Sequence, residues 1–342
     1  MIIKKYDKNN QGKVIMLIYL SLAILICGVV FSSISMKGSW YQLFEAIWQY
    51  ATGTLAIAEN KEENAIILIM RIPRICMAII VGMILSVAGG VMQSVTRNYL
   101  VSPFTIGISS ASTFGAAIAI ILGSNNIWIL ILCAFLMSMA CMILVFGITK
   151  KIGITPVSII LIGIALNYLF SAGTESIRYF AKGYQLEALV QWSFGSLSRA
   201  NWDGVFVTAI IGIICIFIVH GYHLSLDVIS SNTDEVSKTL GVDAEKIRLI
   251  TGCLSVLMTS TVICFTGVIG FVGLIAPHIS RILIGGKNLY GIPFAGGVGA
   301  LLMLVADAIG HFAFPPNDIP VGVVLSFVGV PLFIHLVLKA RK

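Results

Sequence analysis

Acid–base, nucleophilic and metal chemistry all need side chains that converge, and in these 342 residues the stock is small: 15 Asp and Glu, five His and seven Cys. The histidines (His220, His223, His278, His311, His335) fall near opposite ends of different apolar segments. His220 and His223, at i and i+3, would share a helix face, yet no third ligand stands at zinc spacing. The cysteines (Cys27, Cys76, Cys133, Cys141, Cys215, Cys253, Cys264) are scattered in or beside apolar runs with no CxxC, which marks them as small core residues rather than a metal or disulfide framework. No GxxxxGK[ST] occurs, so the chain has no phosphate-cradling loop of its own. Asp307 and Glu175 are the few acids placed to bind a coupling ion within apolar surroundings, and both fall toward segment ends.

Three other stretches are built for contact rather than catalysis. Residues 222–248 form the one densely charged loop between two apolar runs. Within it Ser231 and Asp234 have helix N-cap spacing, Gly241 is the expected stop, and Asp243 can cap a second helix. Val236, Leu240 and Val242 then make an apolar stripe pointing away from lipid, open to a partner. Arg71 and Arg74 bracket Pro73 at the start of another apolar run. Pro73 suits a first helical position, where two cations oppose the macrodipole by roughly 0.3–1 kcal/mol each, so an acidic partner is expected. Glu62, Glu63, lipid phosphate or a carboxylate on a docking protein would each serve. Residues 93–112, QSVTRNYLVSPFTIGISSAS, are polar and Gly/Pro-broken where a plain span would be apolar. Such backbone is tolerated at membrane depth only when buried in protein or lining a water-filled cavity.

The elements that must position these stretches follow from composition. At 58% hydrophobic and 11% charged, the chain is far more apolar than a soluble domain, in which about a quarter of residues are charged. It reads as an all-α polytopic membrane protein and a single domain over 1–342. A run over 14–36 and further runs near 71–94, 103–122, 127–148, 154–180, 203–221, 247–269, 272–286, 293–314 and 320–338 give about ten spans. The first run is too long for a signal peptide and lacks its small-residue cleavage site. With the N-terminus cytoplasmic, 15 of the 22 Lys and Arg and six of the 15 acids lie inside, so the inner side carries +9 and the outer −2. Both termini are then cytoplasmic, as is the 222–248 loop. All five tryptophans (Trp40, Trp48, Trp128, Trp192, Trp202) fall near outer segment ends, as interfacial aromatics do. The net charge of +7 forms no basic run beyond Lys pairs and no stacking platform, so it does not indicate nucleic acid. Gly82, Ser86 and Gly90, and again Ala295 and Gly299, repeat small residues every four positions, which lets helices approach closely. The walls of any pathway read as apolar and small.

The order RIPR, GGVMQSVTRNYLVSPFTIGISSAS, LGVDAEKIR, GVIGFVGLIAPHISRILIG, the Ala306-Asp307 pair and DIPVGVVLSFVGVPLFIHLV resembles the FecCD-type permeases of ABC importers across residues 14–340. That family takes up ferric siderophores, haem and vitamin B12. The resemblance implies ten helices per subunit, a second permease subunit, two cytoplasmic ATPase subunits and an external substrate-binding protein. ATP and Mg would be held by the ATPase, with no cofactor on this chain and membrane lipid as its surroundings. Arg71 and Arg74 match the family's arginine pair that meets acidic residues of the binding protein, and His311 stands where a third arginine is common. Asn98 and Leu100 match the segment that narrows the cytoplasmic end of the pathway, with Tyr99 replacing its proline. Val236, Leu240, Gly241 and Val242 match the coupling helices that enter the ATPase cleft. His278 and Arg281 belong to a family signature with a structural role. A siderophore permease in the cell (cytoplasmic) membrane is the expectation, with haem, vitamin B12 and an ion-coupled secondary transporter as alternatives.

Overall fold

A computed structural model describes residues 2–34, 48, 49, 52, 66–123, 126–313 and 318–340, and these form helices joined by short connections, with no strand among them. Trp40, Glu62 and Glu63 lie outside the described residues. In chain order the helices are α1 (Ile2–Ile34), α2 (Ile72–Thr96), α3 (Ile108–Ile121), α4 (Ile127–Ile152), α5 (Pro156–Phe180), α6 (Gly183–Ser193), α7 (Trp202–Gly221), α8 (His223–Ser231), α9 (Asp234–Thr239), α10 (Ala244–Thr266), α11 (Val272–Ile284), α12 (Asn288–Phe312) and α13 (Val321–Ala340). Seven apolar helices are long enough to cross a bilayer, while Ile108–Ile121, Val272–Ile284 and Val321–Pro331 are apolar but shorter. Each apolar segment read from the sequence coincides with a helix, those over Ile108–Ile121 and Val272–Ile284 being the shortest, and α6 is an addition the hydropathy did not separate.

Polar residues at the segment boundaries explain why the helices start where they do. Asn126, Thr155, Asn201 and Asp243 each accept a hydrogen bond from a backbone N–H of the helix they precede, and Thr155 and Ser158 form a reciprocal box with Pro156 at the first turn.

The bundle is organised around α2, which packs against α7, α10, α11 and α12. A helix that is apolar and small on every side must be covered on every side, and from Met77 to Val95 most of its residues are buried. Two seams make this possible. A Cβ on Gly82 would stand 2.2 Å from the Gly299 carbonyl oxygen, and one on Gly89 would stand 1.9 Å from that of Gly273. The first seam, Gly82 and Ser86 on Gly299, is the one the small-residue spacing predicts. At the second the close approach belongs to Gly89, while Gly90 faces Pro277 at an ordinary 3.5 Å.

The start of α2 differs from the expectation. A π-turn over Ile67–Arg71 leads directly into it, with the Ile72 N–H on the Ile67 carbonyl. Pro73 has no N–H to give, and the wide turn before it absorbs that loss. Arg71 and Arg74 therefore lie inside a continuous helical segment, Ile67–Thr96, rather than at its first turn. The dipole penalty argued for them does not apply, because it fades within the first turn. Trp192 also departs from the interfacial pattern, being 2% exposed inside the protein.

Candidate functional site

At one end of the bundle the chain supplies its own acid for Arg74. The Arg74 Nε donates to both oxygens of Asp307, at 3.2 and 2.9 Å, and its two terminal nitrogens reach Asp307 Oδ1 at 3.0 Å and Asp318 Oδ2 at 2.7 Å. His311 Nδ1 lies 2.8 Å from the other Asp318 oxygen. One guanidinium therefore clasps α2, α12 and the chain entering α13. Burial alone would raise the Asp318 carboxyl, but Arg74 and then His311 hold it below the usual carboxylate range. With His311 neutral, Arg74, Asp307 and Asp318 sum to −1, so this cluster is no cationic patch. Of the residues singled out for docking, Arg74 and His311 are drawn together by Asp318, and Arg71 stands one turn before Arg74. Asp318 was missed because a loop acid eleven residues from Asp307 gives no sequence signal of sharing its partner.

Between α3 and α5 runs a groove of about 280 Å³ whose lining includes Ser109, Thr113, Asn167, Ser171, Glu175 and Arg178. Asn167, Ser171 and Glu175 are spaced by four along α5, and Ser109 and Thr113 by four along α3, so each helix offers one polar stripe. Each stripe is diluted by apolar neighbours in the sequence, and only packing sets the two face to face. Arg178 is paired with Glu175 at 2.8 Å.

At the other end, α2 stops in a Schellman motif: the Asn98 N–H bonds the Gln93 carbonyl and the Arg97 N–H that of Ser94. Arg97 occupies the left-handed position at φ +51°, where glycine is usual and an arginine costs about 1–2 kcal/mol. Its side chain offsets this by reaching the Ile229 carbonyl at 2.6 Å and Asp234 at 2.5 Å. Beyond it Asn98 Oδ1 accepts from the Leu100 N–H at 2.9 Å, and Tyr99 and Leu100 are more than half exposed.

The 222–248 loop folds against this turn. Thr233, not Ser231, caps α9; Ser231 is the last residue of α8. Asp234, freed from capping, receives Arg248 on both oxygens at 2.7 and 2.6 Å as well as Arg97. Arg248 first and Arg97 second hold the Asp234 carboxyl down at about 2. Arg248, fully buried, also donates to the carbonyls of Val95 and Ile154. The α9 helix ends as expected at Gly241, φ +79°, in a second Schellman motif. Asp243 caps α10 through the Lys246 N–H. Val236 and Leu240 are 45% and 60% exposed, whereas Val242 turns inward onto the core, so the stripe is divided. His220 and His223 stack at 5.5 Å, and no cluster of three metal-ligating side chains exists among the described residues.

Residues 15–339 match the model of the FecCD transport family. The chain belongs to that family. An ABC transporter permease protein of Methanocaldococcus jannaschii is 37% identical, with 99% of this chain and 98% of the relative covered. The Fe(3+)-citrate import system permease protein YfmE of Bacillus subtilis is 33% identical over 99% of each. Among solved structures, an inward-facing conformation of a metal-chelate type ABC transporter superposes with a TM-score of 0.84 at 29% identity, covering 95% of this chain and 99% of that one. This FecCD protein is accordingly a multi-pass membrane transport component and not an enzyme.

Proposed function

We propose that this FecCD protein is the membrane-spanning subunit of an ATP-driven importer, carrying ferric-siderophore or similar iron-chelate complexes inward across the cell (cytoplasmic) membrane. A second permease subunit completes the pathway, two cytoplasmic ATPase subunits bind Mg and ATP, and an external binding protein delivers the cargo. The observation that carries this reading is the tie between the 222–248 loop and the end of α2. Asp234 joins Arg248 to Arg97, next to Asn98 and Leu100, so a force on the exposed Val236 and Leu240 is transmitted to the segment assigned as the inner gate. Exposed apolar side chains of this size are worth about 1.5–3 kcal/mol each when covered, which suits them to an ATPase cleft around Gly241. Val242, facing inward, anchors the turn instead.

The groove between α3 and α5 supplies the pathway wall, since polar stripes at membrane depth face protein or water rather than lipid. Its hydroxyl, amide and carboxylate lining favours an oxygen-rich hydrophilic chelate over haem. An ion-coupled mechanism is disfavoured because its candidate acids are engaged, Asp307 by Arg74 and Glu175 by Arg178. On the outer face Arg71, Arg74 and His311 form the docking surface, Asp307 and Asp318 holding the last two in shape. Co-reconstitution with the ATPase subunits tests the assignment. Iron-chelate uptake and binding-protein-stimulated ATP hydrolysis should both require all partners, and uptake driven by an ion gradient without ATP would overturn it.

A further inference from the structure

A cavity of about 210 Å³, remote from the α3–α5 groove, lies where the end of α2 meets α8, α11 and the start of α12. Its charge is not balanced. Arg281 donates a short hydrogen bond to Gln93 Oε1 and lies 4.2 Å from the centre of the Tyr99 ring, two partners without negative charge. It makes no ion pair among the described residues. Arg281 is half-buried, and a cation so placed without a carboxylate has part of its lost hydration uncompensated. Gln93 orients Arg281 without neutralising it: the amide is itself fully buried and donates to the Gly273 carbonyl at 3.3 Å. Arg97 also lines the cavity, and it shares the single carboxylate of Asp234 with Arg248. The nearby acid Asp227 is committed to the backbone and side-chain nitrogens of Asn288. Two guanidiniums, Arg97 and Arg281, thus line the cavity and no carboxylate does. The Ser94 and Ser280 hydroxyls in the wall donate to the Gly90 and Gly291 carbonyls, whereas the fully buried Ser86, also in the lining, has a hydroxyl with no hydrogen-bond partner and so a proton to give.

A net positive cavity with a pre-oriented guanidinium and an uncommitted hydroxyl proton on Ser86 suits a tetrahedral oxyanion, which arginine binds with two parallel hydrogen bonds. We infer that this cavity is a phosphate-class anion site, filled either by the headgroup of an anionic phospholipid or by free phosphate. The inference does not rest on the import reading, because binding is measured on the full-length protein alone.

The test is thermal unfolding of the detergent-purified chain titrated with inorganic phosphate, dioctanoyl phosphatidylglycerol and potassium chloride of matched ionic strength. A saturable rise in midpoint with phosphate identifies the free anion as sufficient; a rise with the lipid alone identifies a headgroup. Arg281→Gln should weaken half-saturation about tenfold or more. Should that variant fail to fold, Ser231→Glu, which adds a carboxylate at the exposed rim, should produce the same loss. No response beyond the chloride control, or a full response in the variant protein, overturns the assignment.

Discussion

The buried guanidinium of Arg248 grips both carboxylate oxygens of Asp234, and the same carboxylate holds Arg97 at 2.5 Å. The first turn of α9 is thereby fastened to the last turn of α2, and to the Ile154 carbonyl before α5. Asp234→Asn should destabilise the protein by about 2–3 kcal/mol. That is less than the roughly 3–5 kcal/mol of a fully buried pair, because Asp234 is partly solvated and Arg248 keeps two carbonyl partners. Its depressed carboxyl contributes in full above the ordinary value of 3.8 and is lost only as pH falls through about 2. The stability difference between wild type and Asp234→Asn, measured by unfolding in detergent, should therefore be constant from pH 5 to 8; a difference that shrinks in that window would show that another group governs the loop.

Leu240 is 60% exposed, so Leu240→Asp should leave the fold intact to within about 0.5 kcal/mol. It should uncouple transport from ATP hydrolysis if the side chain enters an ATPase cleft. Reconstituted vesicles with wild-type uptake and stimulated hydrolysis would remove Leu240 from the coupling surface.

Arg71 and Arg74 should behave differently when reversed. Arg74→Glu would gather three carboxylates around one site, so loss of folded protein is expected before any docking effect can be read. Arg71→Glu should slow association with the binding protein, with a strong dependence on salt because rim charges act mainly on the association rate. Equal association rates for wild type and Arg71→Glu at low ionic strength would return Arg71 to an interfacial role.

Cysteines at positions 98 and 100 should react with a water-soluble maleimide at rates that change between the nucleotide-free and ATP-trapped transporter. Constant labelling would separate Asn98 and Leu100 from the gate.

Gly89→Ala should be poorly tolerated. Its Cβ would sit 1.9 Å from the Gly273 carbonyl oxygen, and because that neighbour is backbone, relief requires α2 and α11 to part. A loss of about 3 kcal/mol or failure to fold is expected. Gly90→Ala, with 3.5 Å to Pro277, should cost far less, and comparing the two by expression and unfolding checks the seam.

Much of this architecture is written locally. Apolar length sets where the helices run, and Thr155-Pro156, Asn201, Gly241 and Asp243 start or stop them through hydrogen bonds to their own neighbours. The small residues at 82, 86 and 299 announce one seam, and the polar stretches at 222–248 and 93–112 stand out against the apolar runs. A run of motifs in order carries the family. What pairs with what is decided only when helices distant in sequence meet. Arg74 stands 233 and 244 residues from its two aspartates, and Arg97 stands 137 from Asp234. Before folding, every arginine has many acids to choose from, so charge alone could not say that Arg74 is satisfied within the chain. The polar groove arises in the same way, from one stripe on α3 and another on α5 that neither helix needs for its own stability. Sequence fixes local hydrogen bonding and hydrophobic length because both act over a few residues. Long-range ion pairs and shared cavities depend on the register in which helices pack, which the backbone contacts at Gly82, Gly89, Gly273 and Gly299 set.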